Sequence, residues 1–137
     1  MTDSLSTARQ IALSGMKAQS LRLRTISENI ANADSLSETP GGDPYARKVV
    51  TFKNVLNKDL EADVVEVDKI AKDKADFGKK YDPNNPAANN AGYVLTPNIN
   101  PLIELMDMKE AQRSYEANLN VISTTREMSQ KTIDILK

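Results

Sequence analysis

The chain has 137 residues, of which 39% are hydrophobic and only 4% aromatic, and its formal net charge is −1. One domain is expected at this length, with less apolar material than the roughly 45–50% of ordinary globular chains. Because Cys and His are absent, disulfides, Ser-His-Asp triads, Cys nucleophiles and the usual zinc sites are excluded. No basic excess suggests a nucleic-acid partner, and no apolar run approaches the roughly 18 residues that span a membrane.

The first predicted element is a helix over residues 4–33, with Asp3 or Ser4 as its N-cap. Its apolar residues recur at alternating steps of three and four, as along the contact face of a coiled coil. Gly15 lies mid-helix, where glycine costs about 1 kcal/mol relative to Ala. Two explanations remain open: the helix tolerates the glycine, or another helix approaches closely there. The second is favoured, because a close contact would offset the cost. The residues of this helix that are predicted to take part in subunit packing are Leu5, Ala12, Gly15, Met16, Leu23, Ile26 and Ile30.

The centre of the chain is predicted to hold loops and a small β region. Residues 37–44 are rich in Pro, Gly, Ser and Asp, which is typical of a loop. Residues 47–56 and 63–68 alternate apolar and polar side chains, which predicts two strands of a hairpin. Such a hairpin is marginally stable unless it packs against another element.

Two further central segments are polar. Residues 69–80 are dense in charge, and we expect a solvated loop rather than an anion-binding patch, because Asp73 and Asp76 dilute the lysines. Residues 82–90 form an Asn- and Pro-rich loop with one carboxylate, too few for a calcium loop. Residues 92–95 are predicted to be extended.

The last predicted element is a helix over residues 101–137, with Asn100 as N-cap and Pro101 as first helical residue. About 37 helical residues would be about 55 Å long, so a domain this small cannot cover the whole apolar stripe. The residues of this helix that are predicted to take part in subunit packing are Leu105, Met108, Tyr115, Leu119, Ile122, Ile133 and Leu136.

The position of the two helix patterns at the chain ends indicates assembly. The obvious partner of each helix is the other one, or the same helix in a neighbouring copy. An enzyme needs an acid, base, nucleophile or metal in a pocket, and the carboxylates here form no convincing pair. We therefore expect no catalytic residue, no metal and no cofactor. A free-standing coiled-coil adaptor is the competing interpretation.

Three segments carry motifs of a known family. Residues 14–35 read SGMKAQSLRLRTISENIANADS, residues 40–50 read PGGDPYARKVV, and residues 81–122 join a Pro-x-x-Pro-x-Ala loop, Gly-Tyr-Val, Pro-Asn-x-Asn and Arg-Ser-Tyr-x-Ala-Asn. In these motifs the chain resembles the bacterial flagellar axial proteins, and within them the proximal rod proteins. The residues that carry the resemblance are Asn29, Ala31, Asn32, Ala33, Pro44, Tyr45, Gly92, Tyr93, Pro97, Asn98, Arg113, Ser114, Ala117 and Asn118.

The resemblance implies a fold and a role. The fold is mainly α, with long N- and C-terminal helices (residues 1–34 and 99–137) paired as a coiled-coil-like D0 domain around a small central loop and β-hairpin region (residues 35–98). The role is that of a structural subunit of the proximal rod, the hollow shaft that transmits torque for motility. Such subunits lie in the periplasm and are exported without a cleavable signal peptide.

The resemblance also implies partners. These are copies of the chain itself, other rod proteins of the FlgB, FlgF and FliE types, and the flagellar type III export apparatus, with no nucleic acid and no direct membrane insertion. The nearest alternative is another rod protein, of the FlgB type. One departure is Glu104-Leu105-Met106, where the family often has Glu-Met.

Overall fold

The computed structural model describes residues 2–135, and side chains from residue 4 onward, as two helices and four strands. The elements are helix α1 (Thr2–Ala31), strands β1 (Lys48–Asn57), β2 (Ala62–Lys72), β3 (Gly78–Tyr81) and β4 (Tyr93–Thr96), and helix α2 (Pro101–Ile135). Strands β1 and β2 form one two-stranded sheet, and β3 and β4 form an antiparallel second one. The chain is thus mainly α with a small central β region, as predicted. Neither helix is long and apolar enough to cross a membrane.

Within the described residues the chain divides into two compact units. Unit 1 comprises residues 2–23, 50–69 and 109–135, and unit 2 comprises residues 24–49 and 70–108. Each helix therefore contributes residues to both units.

Unit 1 is built on a close contact between its two helical segments. Ala12 and Ala18 of α1 and Ala111 of α2 are buried. A Cβ atom at Gly15 would lie 2.8 Å from Asn118 Nδ2. The close approach predicted at Gly15 is confirmed, and the approaching helix belongs to the same chain.

The β1–β2 hairpin of unit 1 is attached to α1. Val64 is buried, and the Val65 amide donates a hydrogen bond of 3.2 Å to Ser14 Oγ. This contact supplies the support that an isolated two-stranded hairpin lacks.

The ends of the helices follow local hydrogen-bonding rules. Asn100 Oδ1 accepts from the Leu102 amide at 3.0 Å, which confirms Asn100 as the N-cap of α2. Helix α1 begins at Thr2, so the predicted cap at Asp3 or Ser4 is wrong. It ends at Ala31 rather than at residue 33, and Asn32 Nδ2 donates to the Glu28 carbonyl at 2.8 Å.

The predicted hairpin and the extended piece before α2 are confirmed as β1–β2 and β4. Residues 69–80, predicted as a loop, instead contain the end of β2 and most of β3. Neighbouring segments supply hydrogen-bond partners to the backbone of these residues. Strand β3 pairs with β4, and Thr51 Oγ1 donates to the Lys69 carbonyl at 3.2 Å. Charge density along the sequence does not reveal such pairing.

Candidate assembly surfaces and the motif cluster

Asn29, from the first family motif, is the centre of a buried hydrogen-bond cluster in unit 2. Its side chain is 1% exposed. Nδ2 donates to the Lys48 carbonyl at 2.8 Å and to Glu104 Oε2 at 3.1 Å. Oδ1 accepts from the Lys48 amide at 2.9 Å and from the Tyr45 hydroxyl at 3.3 Å. One amide thereby joins α1, the start of β1 and the first turn of α2.

Arg47 extends this cluster through charge. Its Nε donates to Glu104 Oε1, and its terminal nitrogens reach Asp73 Oδ2 at 3.2 Å and Asp107 Oδ2 at 3.4 Å. Burial opposes the charge on Arg47, but the bonds to Glu104 and Asp73 outweigh it and raise the guanidinium pKa. Because Glu104 is fully buried, its carboxylate depends on the Arg47 and Asn29 donors for compensation.

Four ionisable groups at the edge of the cluster have shifted pKa values. The hydrogen bond from Lys48 Nζ to Glu28 Oε2, at 3.0 Å, lowers the pKa of Glu28 and raises that of Lys48. Partial burial raises the pKa of the Tyr45 hydroxyl. The backbone amide of Ala75 and the Arg47 guanidinium lower the pKa of Asp73.

The other motif residues in unit 2 shape its loops. Asn98 Oδ1 accepts from the Arg47 amide at 2.8 Å and its Nδ2 donates to the Ala75 carbonyl at 2.9 Å. Gly92 has a positive φ of 79°, which favours glycine. Asn89 Oδ1 accepts from the amides of Ala91 and Tyr93. These bonds order the Asn-rich loop, and among the described residues there is no cluster of three or more acidic side chains that could hold a metal ion.

The predicted packing residues divide by exposure. Ala12 and Ile26 are buried, while Leu105, Leu119 and Ile133 are exposed and Leu136 lies outside the described residues. The remainder are half-buried: Leu5, Gly15, Met16, Leu23, Ile30, Met108, Tyr115 and Ile122. Among the motif residues, Pro44 and Pro97 are buried, Asn32, Ala33, Ser114 and Asn118 are half-buried, and Ala31, Arg113 and Ala117 are exposed.

In unit 1 the side of α2 turned toward its own chain carries small and polar residues. Ala111 and Thr125 are buried, and Asn118 lies midway between them at the same helical position. Large apolar side chains lie on both flanks of that row. One flank exposes Leu119 (48%) and Ile133 (51%). The other flank exposes Val121 (43%), Met128 (51%) and Ile135 (84%).

Sequence reasoning missed Arg47 and Glu104 as central residues. Glu104 occupies the first turn of α2, where the helix dipole favours an acid on the surface, so its type alone did not indicate burial. The sequence signal for its burial was its spacing of seven residues from Ala111, because residues seven apart lie on the same side of a helix.

A concave surface in unit 1 lies between α1 and the β1–β2 hairpin. Its volume is about 550 Å³, and Leu13, Leu21, Leu60, Val64 and Val67 supply its apolar lining. Lys17 and Glu66 are its charged members.

Comparison with known proteins accounts for the motifs. Residues 10–35 match the family described as flagella basal body rod protein, and residues 90–135 match the flagellar basal body rod FlgEFG protein C-terminal family. A flagellar basal-body rod protein FlgC from Agrobacterium fabrum is 54% identical, covering 98% of this chain and 97% of that protein.

More distant relatives carry the same name. The FlgC protein of Buchnera aphidicola is 41% identical over 91% of this chain and 93% of its own length. That of Aquifex aeolicus is 39% identical over 95% of this chain and 96% of its own length. The chain belongs to the FlgC family of flagellar basal-body rod proteins.

Proposed function

We propose that this chain is a structural subunit of the rod in the bacterial flagellar basal body and that it assembles through its terminal helices. One observation carries the proposal. Helix α2 turns small residues toward its own chain and leaves large apolar residues, such as Leu119, Met128 and Ile133, exposed on its flanks.

The flanks favour association for a physical reason. Burying apolar surface gains about 25 cal/mol for each Å² removed from water, and contiguous exposed apolar surface marks interaction sites. Val121, Met128 and Ile135 recur every seven residues, as in a helical seam. A neighbouring helix would cover them without displacing the contact between Gly15 and Asn118.

The finer features are part of the proposal. Residues 1–34 and 99–137 form a coiled-coil-like D0 domain, with residues 35–98 as a central segment, in the proximal part of a hollow, torque-transmitting shaft. The partners are copies of this chain, rod proteins of the FlgB, FlgF and FliE types, and the type III export apparatus, which delivers the subunit to the periplasm. The family motifs at both ends of the chain support this assignment.

The competing functions have less support. A FlgB-type rod protein or a coiled-coil adaptor would share the terminal helices, but the relatives that match over nearly the whole chain are named FlgC. Those relatives are named as rod proteins, which favours a structural role over an enzymatic one.

The test places one carboxylate on an exposed flank of α2. Leu119→Asp and Ile133→Asp should leave the isolated chain folded, since both side chains are about half exposed. In the assembled rod each change buries an unpaired charge, which is expensive. Ser123→Asp adds the same charge at another exposed position of α2 and is the matched control.

The readouts are swimming motility and electron microscopy of purified basal bodies from a deletion strain complemented with each variant. We expect motility and intact rods with Ser123→Asp, and loss of both with the flank variants at normal levels of exported protein. Normal motility with both flank variants would remove the support for assembly through these helices.

A further inference from the structure

The β2–β3 region of unit 2 carries more basic than acidic side chains. Residues 72–81, here called the basic segment, contain two acidic side chains, Asp73 and Asp76, and Asp73 is occupied by Arg47. The lysines of the segment are all exposed, and within the described residues none of them forms an ion pair: Lys72, Lys74, Lys79 and Lys80.

An aromatic pair stands at the end of the basic segment. Tyr81 of β3 pairs with Tyr93 of β4, and their rings meet edge to face with centroids 5.2 Å apart. They remain 64% and 45% exposed. Tyrosine is enriched at protein interfaces, because its ring supplies apolar area and its hydroxyl a hydrogen bond. The segment thus combines an aromatic anchor with uncompensated positive charge.

The turn of the β1–β2 hairpin and the first part of β2 have the opposite character. Residues 59–68, here called the acidic tip, contain no basic side chain. Its carboxylates are all exposed: Asp59, Glu61, Asp63, Glu66 and Asp68. Only Asp68 has a charge partner among the described residues, Lys53 at 4.0 Å.

Glu61 gives a second reason to regard the acidic tip as more than a solvated turn. Its φ is 49°, in the left-handed region, which Gly and Asn occupy at lower cost than Glu. Glu61 is the last residue of the turn, directly before β2, and it holds this conformation at the expense of backbone strain. Such an outlier supports a functional role for the side chain.

We propose that the basic segment of one copy binds the acidic tip of a second copy of this chain. The complementary charges occur in one sequence, and complementary surfaces set the register and rate of association. The contact joins two different surfaces, so a bound pair still offers one free acidic tip and one free basic segment, and the contact can repeat from copy to copy. The proposal is independent of the terminal helices, so either test can fail alone.

Disulfide trapping tests the contact directly, because the natural chain has no Cys. Purified full-length Asp63→Cys is mixed with Lys80→Cys under mild oxidation and separated on non-reducing gels. We expect a cross-linked product of the two variants that forms faster than either variant's self-cross-link. Ser123→Cys mixed with Lys80→Cys is the control, because Ser123 lies outside both surfaces.

Charge reversal tests the chemistry. We expect self-association to weaken about tenfold in each of two double variants, Lys79→Glu/Lys80→Glu and Asp63→Lys/Glu66→Lys. Each variant loses several exposed ion pairs of modest strength at once. Combining both reversals in one chain should restore it. Glu61→Asn relaxes the turn while removing a carboxylate, so weaker association by this variant cannot be ascribed to misfolding. Sedimentation equilibrium at low salt measures all of these variants.

Three results would overturn the proposal. One is a cross-link yield with Asp63→Cys no higher than with Ser123→Cys. Another is a combined charge swap that associates no better than either single reversal. The third is weaker self-association in the lysine reversal with no change in the acidic reversal. That result would assign the basic segment to a different partner.

Discussion

Asn29 of α1 donates a hydrogen bond to Glu104 of α2 although 75 residues separate them in the chain, and both side chains are excluded from solvent. The same amide exchanges two bonds with the backbone of Lys48. A family motif at the end of α1 therefore fixes the position of two other chain segments.

Removal of the Asn29 amide should destabilise the chain strongly. Asn29→Ala leaves the Lys48 amide and carbonyl and one Glu104 oxygen without their partner, and each unsatisfied buried group costs about 1–3 kcal/mol. We expect the free energy of unfolding, measured by urea denaturation, to fall by about 2–4 kcal/mol. Asn120→Ala, at an exposed position of α2, is the control and should change it little. Equal stability of the two variants would contradict the role given to Asn29.

The pair of Arg47 and Glu104 should behave as a coupled unit. Arg47→Met leaves Glu104 buried without its cation, a change that typically costs about 3–5 kcal/mol. Arg47→Met/Glu104→Met should be more stable than Arg47→Met, because the fully buried carboxylate is removed together with its cation. A double-mutant cycle by chemical denaturation should give a coupling energy of about 0.5–3 kcal/mol. Additive losses would mean that Arg47 acts through Asp73 and Asp107 alone.

Acid should destabilise the chain through Glu28 and Asp73. The pKa of each is lowered in the folded state, from ordinary values of 4.5 and 3.8. The unfolded chain therefore binds more protons in this range, so their stabilisation is complete above about pH 5 and is lost as pH falls through the folded pKa values. Thermal unfolding between pH 2 and 7 should show this decline, with a shallower acid limb for Glu28→Gln/Asp73→Asn. The same slope in wild type and variant would assign the decline to other groups.

Local rules explain what the sequence could predict. The start of α2 follows from one Asn and one Pro, and the hairpin follows from alternation, since both depend on residues close in the chain. The hydrogen-bond donors to Glu104 could not be predicted in this way, because they come from Asn29 and Arg47, which are distant in the chain. Periodicity also selected Leu119 and Ile133 as packing residues without distinguishing a surface that packs on its own chain from one left for a neighbour. Their role in subunit packing stays a prediction.

The contact between Gly15 and Asn118 gives a prediction in which two effects oppose each other. Ala or Leu at residue 15 gains up to about 1 kcal/mol in helix propensity, but its Cβ would lie 2.8 Å from Asn118 Nδ2, which is bonded to the Ser114 carbonyl. We expect Gly15→Leu to lower the free energy of unfolding by about 1–3 kcal/mol, with Gly15→Ala near neutral. Asn118→Ala should relieve the clash, so Gly15→Leu/Asn118→Ala should be more stable than Gly15→Leu. Urea denaturation of the wild type and the three variants at residue 15 measures these free energies of unfolding. A Gly15→Leu variant as stable as wild type would show that α2 can move away from α1 at no cost.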